Sequence, residues 1–321
     1  MSDRRVEAID AETAPESVLH ELYLVESEAG TAALGAAPAP TFEERRRRYR
    51  NPGVVKRRHW LLRCGGDPAG LAALHRHGGA LVDADVLVRP AFRRRGLGTL
   101  LFERVCVEAR AAGVTSFYGR HADDAGAAFA RSVGATDDQR EVKSVLRLRG
   151  ADLPEPTVPS GTELRSWTWP VPSELVQSFV RARNAMVDAP APGSQAMEAW
   201  TVETTLADIE AQVARDAPIH WTVAVGHGEV LALTGVRVRP APCPYVPTDD
   251  TATVPQARGR GLATAVKLES LRRLQRERPD VELVGTVNAE HNAAMRAVNT
   301  KLGFVPVVTL TTTVVQLDAD R

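Results

Sequence analysis

The sequence predicts an α+β protein that carries one domain twice, and three observations point there. At 321 residues the chain is too long for one ordinary domain and about right for two. Near the middle, Leu153-Pro-Glu-Pro-Thr-Val-Pro-Ser-Gly161 breaks both helix and sheet and reads as a linker. A strand-and-loop pattern then recurs at one spacing. Asp85 and Asp250, Pro90 and Pro255, Arg93 and Arg258, and Gly96 and Gly261 each lie 165 residues apart (250 − 85 and so on). The domains are therefore placed at 1–150 and 162–321, with 151–161 between them.

In the first domain, helices are expected over Pro15–Glu28 and roughly Phe42–Tyr49, joined by the Ala-, Gly- and Pro-rich stretch from Ala29 to Pro40. Short apolar runs at His59–Leu62, Gly70–Leu74 and Ala80–Val88 are bounded by turn residues and read as strands. Gly96 opens a helix in which Leu97, Leu101 and Val105, and Phe102 and Cys106, recur at spacings of four. A strand at Ser116–Gly119, a helix at Asp124–Val133 and a strand at Val142–Leu148 complete the domain. The second domain repeats the order: strands at Thr222–Val225, Val230–Val238 and Asp250–Thr253, a helix from Gly261 to about Arg276 with a drifting apolar face, a strand at Val281–Val287, a helix at Asn292–Leu302 and a strand at Val307–Gln316. Hairpin strands mixed with a few helices imply an α+β domain and not a doubly wound one.

Bulk properties narrow the function. Lys+Arg and Asp+Glu balance at 40 each, so no global field gathers a polyanion, and a nucleic-acid partner is not expected. No stretch approaches the roughly 20 apolar residues of a membrane span, and the N-terminus lacks the apolar core of a signal peptide. Cys64, Cys106 and Cys243 have no metal-binding spacing, so no metal is implied, and an odd count fits a reducing cytoplasm. A monomer or a homodimer is expected.

The chemistry starts at the two loops. Residues Arg93, Arg94, Arg95, Gly96, Leu97, Gly98 and Thr99, and residues Arg258, Gly259, Arg260, Gly261, Leu262, Ala263 and Thr264, each follow a strand and open a helix. A helix start leaves backbone N–H groups without intrahelical partners, and its dipole favours an anion there. Glycine lets the backbone turn sharply and lets a ligand approach closely. The product is a cradle for a pyrophosphate, with arginines adding charge-assisted contacts.

Val88-x-Pro90-x-x-Arg93-x-x-Gly96-x-Gly98 and Pro255-x-x-Arg258-x-x-Gly261-x-Ala263 resemble the acetyl-CoA motif of the GNAT superfamily, (Gln/Arg)-x-x-Gly-x-(Gly/Ala) after a strand. The second half also resembles tandem actinobacterial members at Asp250-Thr251 and at Asn288-x-x-x-Asn292-x-x-Met295-x-x-Val298-Asn299-x-x-Leu302-Gly303-Phe304. The resemblance covers nearly the whole chain, once per half. It implies a mixed, splayed, mostly antiparallel sheet flanked by helices in each domain, with acetyl-CoA or another acyl-CoA as cofactor. It further implies that the backbones of Leu87 and Val88, and of Ala252 and Thr253, hold the pantetheine arm, that the two loops hold the pyrophosphate, and that Asn292 contacts the cofactor.

The expected reaction is transfer of an acetyl or related acyl group to a primary amine of a small molecule or peptide. A non-catalytic acyl-CoA sensor is the alternative, because the family's frequent proton donor, a tyrosine four residues before the Gly of a Gly-Phe pair, is Ala130 in one half and Asn299 in the other. Asp85 and Asp250, at matched places on the strand before each loop, are the candidate general bases. His75 and His77 read as a solvated hairpin, and Arg45–Arg48 as the solvated face of a helix. Arg183, Met186, Asp188, Trp200 and Glu203 could border an acceptor site, although Met and Trp are more often core.

Overall fold

The repeat is visible in the order of elements. The computed structural model describes residues 3–317 apart from 31–34, 36, 54, 78–81, 187–198 and 215. The first half runs β1 (Arg4–Ile9), α1 (Glu16–Ala29), α2 (Phe42–Arg50), β2 (Lys56–Cys64), β3 (Asp67–Arg76), β4 (Val82–Val88), α3 (Leu97–Ala111), β5 (Ser116–His121), α4 (Asp124–Ser132) and β6 (Thr136–Arg147). The second half repeats that order as β7 (Thr162–Trp167), α5 (Val176–Asn184), α6 (Val202–Ala214), β8 (Ile219–Gly226), β9 (Glu229–Arg237), β10 (Tyr245–Thr253), α7 (Leu262–Glu277), β11 (Leu283–Ala289), α8 (Ala293–Lys301) and β12 (Val305–Gln316).

The strands form one sheet in the order β1-β2-β3-β4-β5-β12-β6-β11-β10-β9-β8-β7. Neighbours are antiparallel except at β4–β5 and β10–β11, which are parallel. The last strand of each half is exchanged. β12 bonds to β5, with Thr312 opposite Arg120, while β6 bonds to β11, with Val145 opposite Gly285. The two exchanged strands then pair with each other over most of their length.

The cores record the same exchange. Val315 and Leu317, from the end of the chain, are buried among Trp60, Leu97, Leu101, Val105 and Phe117 of the first half. Leu146 and Leu148 are buried among Val246, Leu271, Leu274, Val284 and Phe304 of the second. Helix α3 buries the stripe that its four-residue spacing predicts, Leu97, Leu101 and Val105 with Cys106 and Ala109. Helix α7 buries more of its circumference, Lys267 and Ser270 included, which explains its drifting pattern. The end of the first half and the start of the linker cover part of it: Gln275 donates to the carbonyls of Leu148 and Ala151, and Arg272 to that of Leu153.

Helix α2 ties the halves together from the side. Thr41 and Glu44 form a reciprocal capping box at its start. Glu44 also pairs with Arg239 at 3.0 Å, and Arg47 with Asp216 at 3.4 Å, both in the second half. The run Arg45–Arg48 is therefore not simply the solvated face its sequence suggests. Arg45 is committed to Glu26 at 2.9 Å, and Arg46 and Arg47 to Glu43.

This arrangement predicts the behaviour of the separated halves. Without the other half, each loses the strand that covers β5 or β11 and leaves a long unpaired edge, a known route to aggregation. Fragments 1–155 and 156–321 should aggregate when made singly and co-purify as a soluble 1:1 complex when made together. Soluble, cooperatively melting single fragments would contradict the exchange.

Candidate functional site

The parallel pairs open almost at once. β4 and β5 register only at Asp83 and Tyr118. β10 and β11 hold only from Tyr245–Leu283 to Pro247–Gly285. Beyond those points β4 and β10 continue with one side paired, to β3 and β9, and the other side open. Leu87, Val88, Ala252 and Thr253 all lie on these open stretches. An exposed strand edge offers N–H and C=O groups to any extended chain that carries amides of its own.

Each open edge runs into its loop through the same backbone path. A short 3-10 turn, Pro90–Phe92 or Pro255–Ala257, delivers an extended Arg93 or Arg258 with nearly equal dihedrals. The Nε of Arg93 donates to Val88 O at 3.0 Å, and that of Arg258 to Thr253 O at 3.3 Å, so each arginine ties its loop to its strand. Gly96 and Gly261 then cap α3 and α7 in the left-handed region at φ 76° and 77°. A second left-handed position precedes each cap. It is Gly259 in the second loop but Arg94, at φ 61°, in the first. That conformation costs a non-glycine residue on the order of 1–2 kcal/mol, so the first loop stores strain that the second avoids. Arg93, Arg94, Arg95, Arg258 and Arg260 are all exposed, facing solvent where an anion would arrive.

In the second half the open edge, the loop and α8 meet around a cleft of about 490 Å³. Its walls include Thr251, Ala252 and Thr253 of β10, Arg258, Gly259 and Gly261–Thr264, Met186 after α5, and Asn292, Met295 and Val298. Asn292 is also the cap of α8, its Oδ1 accepting from the Met295 N–H at 3.1 Å. Its first-half counterpart, Asp123, caps α4 in the same way, accepting from Gly126 at 2.7 Å. At the position of the family's tyrosine, Asn299 is buried and donates inward to Asn288 at 2.6 Å, and Ala130 is buried as well. Neither half places an acid there.

The two candidate bases differ sharply. Asp250 is clamped: its Oδ2 accepts from Arg183 Nε at 2.7 Å, and Arg183 Nη2 bridges on to Asp208 at 3.0 Å. Arg183 is 4% exposed and stacks on Trp200, with the guanidinium carbon 3.9 Å from the ring centroid. Asp85 is more open, and accepts at 3.1 Å from His75 Nε2. Against the desolvation imposed by the surrounding walls, the His75 bond and the charges of Arg48 and Arg45 hold its carboxyl below the ordinary aspartate value. His75 itself is buried, and so not a solvated hairpin residue, while exposed His77 pairs with Asp83.

The residue the sequence reading missed is Asp249. β10 carries a bulge between Thr248 and Thr251, where its register against β9 slips by one, and Asp249 and Asp250 occupy it. A bulge re-aims side chains and is common beside active sites. Asp249 accepts from Arg237 Nη2 at 2.7 Å. Burial pushes its carboxyl up to about 6; the Arg237 charge resists and the neighbouring Asp250 reinforces the rise. The doublet Asp249-Asp250 was the available signal. β4 has no such bulge, and Ala84 precedes Asp85.

Relatives place this geometry. The Acetyltransferase (GNAT) family profile matches residues 19–134. Over 319 residues the chain is 30% identical to a mycothiol acetyltransferase of Nocardia farcinica, covering 94% of both chains. The chain belongs to the GNAT acetyltransferase family. A mycothiol acetyltransferase of Thermomonospora curvata is 30% identical over 233 residues, 70% of this chain and 71% of its own. The tandem GNAT protein of the clavulanic acid biosynthesis pathway superposes with a TM-score of 0.81 at 24% identity, covering 98% of this chain and 99% of that one. A GCN5-related N-acetyltransferase from Sphaerobacter thermophilus gives 0.73 at 17% identity, covering 98% and 96%. The protein is thus an acetyltransferase that moves an acyl group from acyl-CoA to an amine, and the non-catalytic alternative gives way. Among the described residues no helix is long and apolar enough to cross a membrane, and no cluster of His, Cys, Asp and Glu could hold a metal.

Of the residues considered for an acceptor site, Arg183 and Trp200 form the clamp on Asp250, Met186 lines the cleft, Glu203 sits in the first turn of α6, and Asp188 lies outside the described residues. The clamp predicts a large stability effect. Arg183→Leu strands two carboxylates, Asp208 and Asp250, and should cost about 3–5 kcal/mol. Urea unfolding of the full chain measures it, and a loss under 1 kcal/mol would mean the clamp is not closed in solution.

Proposed function

We propose that the second half is the catalytic centre and that the cleft between β10, the Arg258–Thr264 loop and α8 holds acyl-CoA. The observation that carries this reading is the convergence of three features on one space: an unpaired strand edge, a left-handed glycine at a helix start, and a cleft joining them. In it the backbones of Ala252 and Thr253 bond the pantetheine amides as an added strand would. The N–H groups at the start of α7, with Arg258 and Arg260, hold the pyrophosphate, and Asn292 lines the opposite wall. The first half has the same edge at Leu87 and Val88 and the same loop at Arg93–Thr99, and we assign it a second acyl-CoA.

Acyl-CoA supplies a thioester already activated for attack, so the chain must deprotonate and position an amine. Asp249 takes the proton from the acceptor's ammonium group. Its raised carboxyl is closer in basicity to the amine than an ordinary aspartate, yet it remains mostly ionised at pH 7. Asp250, bound to Arg183, holds that guanidinium beside the base and is the supporting member of the pair; Asp85, backed by His75, takes the corresponding place in the first half. The carbon–nitrogen bond forms as the carbon–sulfur bond breaks. A thiol with a pKa of about 8.5 can depart as thiolate, and that thiolate takes up the second proton that the attacking nitrogen sheds as it becomes an amide, so the missing tyrosine does not block the step. A cytoplasmic enzyme that acts on a small-molecule primary amine fits this site.

Two measurements test it. Isothermal titration of the full chain with acetyl-CoA should give two sites, of which Gly261→Val removes one and Gly96→Val the other; no binding by the intact chain would end the proposal. Thiol release should show kcat/KM flat above pH 6 and falling about tenfold per unit below it, because the base is lost on protonation. Asp249→Asn should abolish that limb and slow turnover by about 10²–10⁴. An unchanged profile would return the role to Asp250.

A further inference from the structure

The arginines of α2 are almost all spoken for. Arg45 pairs with Glu26, Arg46 and Arg47 with Glu43, and Arg50 donates to the carbonyls of Ala11, Glu12 and Ala14. Arg48 is exposed and has no hydrogen bond or ion pair among the described residues. The charges that act on it include those of Arg45, Glu26, Asp85 and, from the second half, Arg237. Neither carboxylate is free to neutralise it. Glu26 is held by Arg45 and by the Tyr49 hydroxyl at 2.8 Å, and Asp85 by His75.

Arg237 approaches from the other side. One of its nitrogens binds Asp249, while its Nε is buried with no hydrogen-bond partner. A buried donor left unmade costs free energy, and so does holding two guanidinium groups near one another. One anion placed between Arg48 and Arg237 relieves both. Each of the two guanidinium groups has an aspartate of its own half nearby: Asp249 bonds Arg237, and the charge of Asp85 acts on Arg48. The ion pairs Glu44–Arg239 and Arg47–Asp216 hold α2, and with it Arg48, against the second half.

We propose that the acceptor is an amine bearing an anionic group, and that Arg48 and Arg237 grip this group across the boundary between the halves. The inference rests on the reading of Asp249 as the proton acceptor, since it places the amine beside that carboxylate. A carboxylate and a phosphate share the required chemistry.

Thiol release by the full chain with acetyl-CoA and matched amines tests the proposal. The pairs are L-leucine against L-leucinamide, and O-phosphoethanolamine against ethanolamine. The anionic member of at least one pair should be favoured about tenfold or more in kcat/KM, chiefly through KM, and which pair responds tells carboxylate from phosphate. In Arg48→Gln the preference should shrink to within about threefold, and Arg48→Lys should keep part of it. Neutral amines used as well as anionic ones, or both members slowed equally in Arg48→Gln, would overturn the proposal. Should no amine in the panel react, thermal melts under saturating acetyl-CoA decide. Inorganic phosphate should raise the melting temperature above that in chloride at equal ionic strength, and Arg48→Gln/Arg237→Gln should remove the increment. An increment equal in both proteins overturns it. Failure to bind acetyl-CoA at all is a separate outcome, read by titration, and refutes the function from which the inference starts.

Discussion

The structure depends on two parallel strand pairs that part company after a few residues. A strand inside a sheet normally has both edges satisfied, and an unpaired run of backbone there is costly unless something else bonds to it. Beyond Asp83 and beyond Pro247 the chain leaves such a run and directs it straight into a loop whose helix start also lacks partners. Two kinds of unsatisfied donor, an edge that suits amides and a helix start that suits phosphate, are thus set end to end.

The side chains then make the halves unequal. The second has a bulge, an aspartate pair and a buried guanidinium clamp; the first has a regular strand and an Asp85–His75 pair. The bulge matters most, because it brings a second carboxylate next to one already neutralised by Arg183. Burial raises the carboxyl of Asp249 above the ordinary aspartate value, against the charge of Arg237 and with reinforcement from Asp250.

Much of this was legible in the sequence. The loops, the strands before them and the helices after them stood where the duplicated motif placed them, since turn glycines, prolines and four-residue apolar spacing are local signals. Four elements were not anticipated. β1 and β7 lie at the sheet's outer edges, where Arg4, Arg5 and Glu7, or Glu163 and Arg165, mask the strand pattern, and α5 and α6 bury polar residues, Ser178 and Arg183 or Thr205, Asp208 and Gln212, where an apolar stripe would have marked them. The strand exchange was invisible because β6 and β12 have the same composition whichever half they pair with. Long-range choices of partner also hid Arg183 behind Asp250 and His75 behind Asp85, and the slip that exposes Asp249 depends on register against β9, which no single segment encodes.

The exchanged strands bear on how such a chain could arise and change. Two identical single-copy subunits trading their terminal strands would make a swapped homodimer, and any substitution would strike both copies at once. Joined head to tail, the copies keep that embrace at a high effective concentration set by the tether, so association no longer has to be re-won at each encounter. Symmetry ceases to be enforced. One copy can acquire a kinked strand and a second acid while its twin drifts toward another duty, and the shared ribbon of β6 and β12 keeps both in a single folding unit.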